Sequence, residues 1–544
     1  MPKDSEKQVT FESPENLRDI QKKIAEFGRK VDAYAFGRDF DSLSGLLNEM
    51  ENFYSASDYA ATDAGLFYFL GTGYNVLAEH ILFTARNADG KPDPFNESVV
   101  KNRRKAFFYF RKSLALFDSY SKDEQCRYKD QETLYQRLLT NYANALDAAG
   151  RPVAALHYYR ESLLLNPDFS MTDGNYGRAL SFLADLVNDS SESNDLHIHA
   201  YQAMKSAVTH PDADMTDEAI GAFSDDIHKY EAYAHGRWKE ILNKPVKYKK
   251  YSLGRSKAEQ MYRHWCLANR LFLNPLNELM KPEAAFAHDP LTITSFTEDI
   301  DKTDSVNNER IEPPRWFAML NQLKEEYVYA RYLCYDSCDY KDGVHFADKG
   351  TSLTLGSYDY SIYSIRVEEL KTAFRTLYSM LDQIFFFVND FWNLGLKERE
   401  ADARHVYKSG NYPKNNIAFM GLYWVLSEFN EDYAQEVAGE SSQEPGHQHP
   451  KKTNEKNLSD LRNALEHKFV KVQDVWDGDL TLESDHFYHI SEDNLQKYTL
   501  RLCRIVREAL MYLVYAIDQE ERKKDHSKMT VPLVIADYSD EWKR

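Results

Sequence analysis

The sequence predicts an all-α protein, a helical solenoid followed by a helical bundle. Three observations predict it. The run NYANAL from Asn141 to Leu146 returns as NYGRAL from Asn175 to Leu180, 34 residues on, and a repeat of that length is a pair of helices with a turn. From Val367 to Trp392 the apolar residues Val367, Leu370, Phe374, Leu377, Leu381, Ile384, Val388 and Phe391 are spaced by three and four, which makes one long amphipathic helix. The last third of the chain holds four such helical segments, two of them long, the pattern of a bundle.

Residues 1–59 read as an N-terminal helical segment. Residues 60–212 read as repeats. Gly150 breaks a helix at the turn, Ala155, Tyr159 and Leu163 face inward on the next one, and Pro167 ends the unit. Ala143, Gly177 and Ala155 are small enough for neighbouring helices to approach closely. An earlier unit runs through Leu70-Gly71-Thr72-Gly73-Tyr74 to Ala106, Phe110 and Leu114, with an insertion around ADGKPDPFNES, and a later half-unit through Ala200, Met204 and Ala207 to Pro211. This stretch resembles tetratricopeptide repeats. The resemblance implies a concave groove that takes a protein or peptide partner, with Asn144 and Arg178 at equivalent positions on its inner helices. The alternative is a platform for dimerisation only.

Residues 213–311 read as connecting helices and an acidic bridge, with the helix in YRHWCLANRLFLNPLNELM ending near Asn274-Pro275, because a residue before proline is biased out of the α region. Residues 312–527 form the bundle: a helix in RWFAMLNQLKEEYVYARYLCYD, a loop TSLTLGSYDYSIYS, the long helix from Val367, and a helix at about 415–431. A Gly-, Ser-, Pro-, Gln- and Lys-rich linker follows, whose composition does not support packing. The motif helix comes next, at about 455–475, and a last long helix runs from Glu492 to Lys523. Residues 528–544 read as a tail.

On the motif helix the apolar stripe is Leu458, Leu461, Leu465, Phe469 and Val472. His467 points away from it, Asn463 lies four residues before His467 on the same side, and Arg462 sits at its edge. The hexapeptide Arg462-Asn463-Ala464-Leu465-Glu466-His467, the long helix LYSMLDQIFFFVNDFWNLG and the segment LFLNPLNEL are similar to those of HEPN-domain proteins. The resemblance implies a metal-independent endoribonuclease of the toxin or antiviral-defence type, with Arg462, Asn463 and His467 as catalytic residues and no cofactor. The residue types suit that chemistry. RNA carries its own 2′-hydroxyl nucleophile, a histidine exchanges protons near neutral pH, and an arginine holds phosphate oxygens in a rigid fork. Arg462 and His467 are about 140° apart at 100° per residue, so a shared site calls for a second copy of the helix across a two-fold axis, with Val470 contributing apolar contact. RNA and a homodimer are the implied partners. The alternatives are a solvated charged face in a non-catalytic, partner-binding regulator, or a nucleotide-binding protein without nuclease activity.

Composition narrows the field. The net charge of −19 over 544 residues argues against a general nucleic-acid coat. Five cysteines give no disulfide framework. Cys334 and Cys338 are a turn apart without a second ligand pair, and His447 and His449 lack further ligands, so no metal site is expected. The polar N-terminus and short apolar runs imply no membrane span and a cytoplasmic location. Lys497, Arg501 and Arg504 form a basic stripe on the last helix, suited to an RNA backbone or simply solvated, with Glu508 at its end. Asp382 on the long helix is placed to orient His467 or brace Arg462, or to make an ordinary ion pair.

Overall fold

The computed structural model describes residues 14–56, 63–86, 90–119, 125–234, 237–248, 251–297, 315–338, 343–353, 361–397, 400, 405–406, 410, 412–427, 454–474, 486–524 and 530–532. The fold is all-α. The chain forms two compact units, Met1–Ala148 with Gln435–Asn454, and Ala149–Ala434 with Glu455–Arg544. The division falls inside the stretch 60–212 that the sequence groups as repeats.

The first unit contains α1 (Pro14–Gly37), α2 (Phe40–Ala56), α3 (Ala64–Thr84), α4 (Glu97–Ser119) and α5 (Gln125–Ala148). Asp63 starts α3 by accepting from the Leu66 amide at 2.9 Å. α3 and α4 pack along each other, joined through the inserted residues that the sequence marks. Gly71 makes the approach close, since a Cβ there would lie 2.7 Å from the Phe110 ring.

The second unit begins with Gly150 in the left-handed region (φ 76°) and Pro152 in the first turn of α6 (Pro152–Leu165). α7 (Ser170–Leu186), α8 (Ser190–Thr209), α9 (Asp217–Tyr233), α10 (Arg237–Leu242) and α11 (Lys257–Ala268) follow. Gly177 sits where a Cβ would come within 2.8 Å of the Ala200 carbonyl oxygen, which fixes the tight α7–α8 crossing. α11 ends at Ala268, not near Asn274-Pro275. The physical reason is a local reversal: Arg270 takes φ 58° and the Leu271 amide returns to the Cys266 carbonyl at 2.9 Å. Asn274 then caps a 3-10 turn, Pro275–Glu278, by accepting from the Leu276 amide.

The bundle comprises α12 (Arg315–Cys338), α13 (Ile365–Phe391), α14 (Ile417–Ser427), α15 (Asn454–His467) and α16 (Glu492–Lys523). α16 packs on α12, α13 and α14 and is buried almost continuously from Leu502 to Asp518. Ser364 caps α13 at the Val367 amide, and Asn393 in the left-handed region (φ 48°) closes its far end. Two small sheets supplement the helices: β1 (Ser295–Thr297) pairs antiparallel with β4 (Thr530–Pro532), and β2 (Phe469–Gln473) pairs parallel with β3 (Phe487–Ser491). β1 lies in the stretch read as a bridge and β4 in the stretch read as a tail.

Three buried contacts tie α6 to α16. Arg151 makes a two-pronged pair with Glu508 at 2.9 and 2.7 Å. The Val153 amide donates to the Tyr512 hydroxyl at 3.0 Å. Glu278 accepts from Arg160 at 2.8 Å and from Arg507 at 2.6 Å. Burial alone would push the Glu278 carboxyl up, but Arg507 and Arg160 outweigh it and bring it down to about 2.

Candidate active site

The motif helix is shorter than its apolar pattern predicts. α15 stops at His467, and Phe469 begins β2 rather than continuing the stripe. Aromatic and β-branched residues in FVKV favour a strand. The strand is clasped on both sides: β3 lies in register with it, and the Ile362 amide donates to the Val472 carbonyl at 2.7 Å. Val470 is therefore half-buried on a strand, opposite Tyr488, and not on an outward helical face. Phe469 is 71% exposed.

Within α15, Leu458, Leu461, Ala464 and Leu465 are buried, Arg462 is half-buried, and Asn463, Glu466 and His467 are exposed. The Arg462 guanidinium lies 5.6 Å from the centre of the Tyr378 ring, a cation–π contact. Its Nη1 donates to Asn463 Oδ1 at 3.2 Å, so Asn463 is turned to the arginine. Arg375 of α13 donates through Nη2 to the Leu465 carbonyl at 2.9 Å. That bond satisfies one of the orphan carbonyls at the helix end and sets the last turn that carries His467.

His467 lines a depression of about 220 Å³ with Glu466, Lys468, Phe469 and His486. His486 is the residue that sequence reading misses. It arrives through the parallel register, with the Phe469 amide donating to the His486 carbonyl at 3.0 Å. Arg462 is not among the residues lining this depression. Asp382 is exposed on α13, one turn beyond Tyr378.

The basic residues of α16 do not make one outward stripe. Lys497 is exposed beside Asp493 at 3.4 Å, and Arg501 is half-buried. Arg504 turns onto Asn269, donating to its carbonyl and Oδ1 at 3.4 Å each. The reason is that α16 is the central helix of the bundle, so most of its faces are covered. Glu508, read as the end of that stripe, is buried on Arg151.

Of the two repeat positions, Asn144 is half-buried on α5. Arg178, on α7 in the other unit, lines a cavity of about 690 Å³ together with Phe182, Asp185, His197, Asp226 and Tyr230. Arg178 is paired to Asp226 at 2.7 Å. Cys334 is buried and Cys338 half-buried on α12. Among the described residues no group of three His, Cys, Asp or Glu side chains is placed to hold a metal ion, and no helix is long and apolar enough to cross a membrane. His447 and His449 lie outside the described residues.

The all-α fold is consistent with a HEPN bundle. Residues 307–520 match the family model of the LA2681-like HEPN domain. No curated protein and no solved structure matches the chain. A HEPN domain points to RNA cleavage or to a nucleotide-related role.

Proposed function

We propose that the protein is a metal-independent endoribonuclease of the HEPN type, acting as a toxin or antiviral-defence effector. The observation that carries this reading is the exposed His467 lining an open depression, within a HEPN domain and five residues along the motif helix from Arg462. His467 serves as an acid or base on the RNA 2′-hydroxyl and scissile phosphate. Arg462 stabilises the charge that develops on phosphorus, with Asn463 fixing the guanidinium. The products are a 2′,3′-cyclic phosphate end and a 5′-hydroxyl end. Because Arg462 lies off the His467 cleft, the full site is composite, formed by two copies of the chain about a two-fold axis. The test is RNA degradation on expression of the wild-type chain against His467→Ala, followed by cleavage in a chelator. Equal degradation by both chains would remove the assignment, and activity restored only by a divalent ion would replace the mechanism.

The cavity around Arg178 supports a second role within the same protein, recognition of a protein or peptide signal by the repeat-like helices. Its volume falls in the ~300–1,000 Å³ range of ligand sites, and its lining mixes aromatic with charged groups. Arg178→Glu should change partner recovery without changing intrinsic cleavage. Recovery of the same partners from both chains would count against this role.

A further inference from the structure

We propose that His486 is the second proton-transfer group of the cleft, working with His467 as an acid–base pair on one phosphodiester. The inference rests on the nuclease reading and deepens it. Cleavage by the 2′-hydroxyl needs two proton transfers, one away from O2′ and one onto the departing O5′. A single imidazole holds one protonation state at a time, so a concerted step needs a second group.

The structure places that group. The parallel pairing of Phe469 with Phe487 sets the residues before each strand side by side, and the Phe469 amide bonded to the His486 carbonyl locks the offset. Both imidazoles are exposed and line the same depression. Among the described residues neither is engaged in a hydrogen bond or ion pair. The surroundings suit a single-stranded RNA linkage. Lys468 supplies a cation beside the phosphate position. The exposed Phe469 ring, 5.8 Å from that of Phe487, offers a face for an unstacked base.

In the step, O2′ attacks phosphorus as its proton passes to one imidazole. The P–O5′ bond breaks, and O5′ takes a proton from the other, which starts as imidazolium. The two histidines thereby exchange protonation states and are reset by solvent.

The experiment is single-turnover cleavage of a single-stranded oligoribonucleotide with one scissile linkage, and of the same oligomer with sulfur replacing O5′ there. A thiolate departs without being protonated, because its conjugate acid is far stronger than an alcohol. The full-length wild type, His467→Ala and His486→Ala are compared, with His486→Gln as a second variant and melting curves to check folding. Both alanine variants should slow the oxygen substrate by about 100-fold or more. The sulfur substrate should restore one of them, the variant lacking the acid, to within about tenfold of wild type, and leave the other slow. Cleavage of the oxygen substrate by His486→Ala at the wild-type rate would overturn the proposal, as would rescue of both variants or of neither. If wild type cuts neither oligomer, or His467→Ala cuts as fast as wild type, the nuclease reading itself falls and takes this proposal with it.

Discussion

Arg375 on α13 donates to the backbone carbonyl of Leu465 at 2.9 Å, so the longest helix of the bundle apart from α16 holds the end of the helix that carries the motif. The bond links two levels of the structure. It completes the hydrogen bonding of a helix terminus and fixes the direction in which His467 leaves it.

The first prediction follows from that bond. Arg375→Ala should lower stability by only about 0.5–1.5 kcal/mol, the net worth of one hydrogen bond. RNA cleavage should fall by more than this loss of stability explains, because the last turn of α15 loses its anchor. Hydrogen exchange at the α15 C-terminus, measured beside activity, checks it. Unchanged exchange in the variant would show that Arg375 does not hold the turn.

Arg462 should tolerate neither truncation nor simple retention of charge. Arg462→Ala should abolish cleavage, and Arg462→Lys should restore little, because an ammonium lacks the planar fork that holds both the Asn463 oxygen and a phosphate. Tyr378→Phe keeps the ring under the guanidinium and should retain activity, whereas Tyr378→Ala should not. Full activity in Arg462→Lys would show that charge alone suffices there.

Assembly gives a third prediction. The cleft of His467 and His486 does not include Arg462, so activity should require two copies of the chain. Mixing an excess of Arg462→Ala/His467→Ala subunits into wild type, under exchange conditions, should suppress turnover as mixed dimers form. A monomer by light scattering whose rate per chain ignores the inactive subunit would refute the composite site.

The fourth prediction concerns acid stability at Glu278. Its carboxyl is brought down to about 2 from an ordinary 4.5. A depressed carboxyl contributes stability that is complete above the unfolded value and is lost as pH falls through the folded one. Glu278→Gln leaves Arg160 and Arg507 buried without their carboxylate, which costs about 3–5 kcal/mol. Denaturant unfolding should show that difference constant above about pH 4.5 and shrinking as pH falls toward 2. A difference that persists unchanged at the acid end would mean that the pair of arginines does not depend on the charge.

What the sequence alone determined is what depends on local periodicity. The spacing of apolar residues in α13 specifies its length and buried face, because a helix closes its hydrogen bonds within itself. The same local logic marks Gly150 as a break, and places Arg462 and His467 on different sides of one helix. The tertiary structure decided whatever depends on residues distant in the chain. Phe469 and Val472 fit a helical stripe as well as a strand, and the choice went to the strand because Ile362 and β3 supply its hydrogen bonds. The turn of Arg504 onto Asn269 and the burial of Glu508 depend on what packs against α16, which no pattern within α16 reveals. His486 and His467 line one depression because of a parallel register, and such pairing joins strands across a long connection whose sequence carries no signal of the partner.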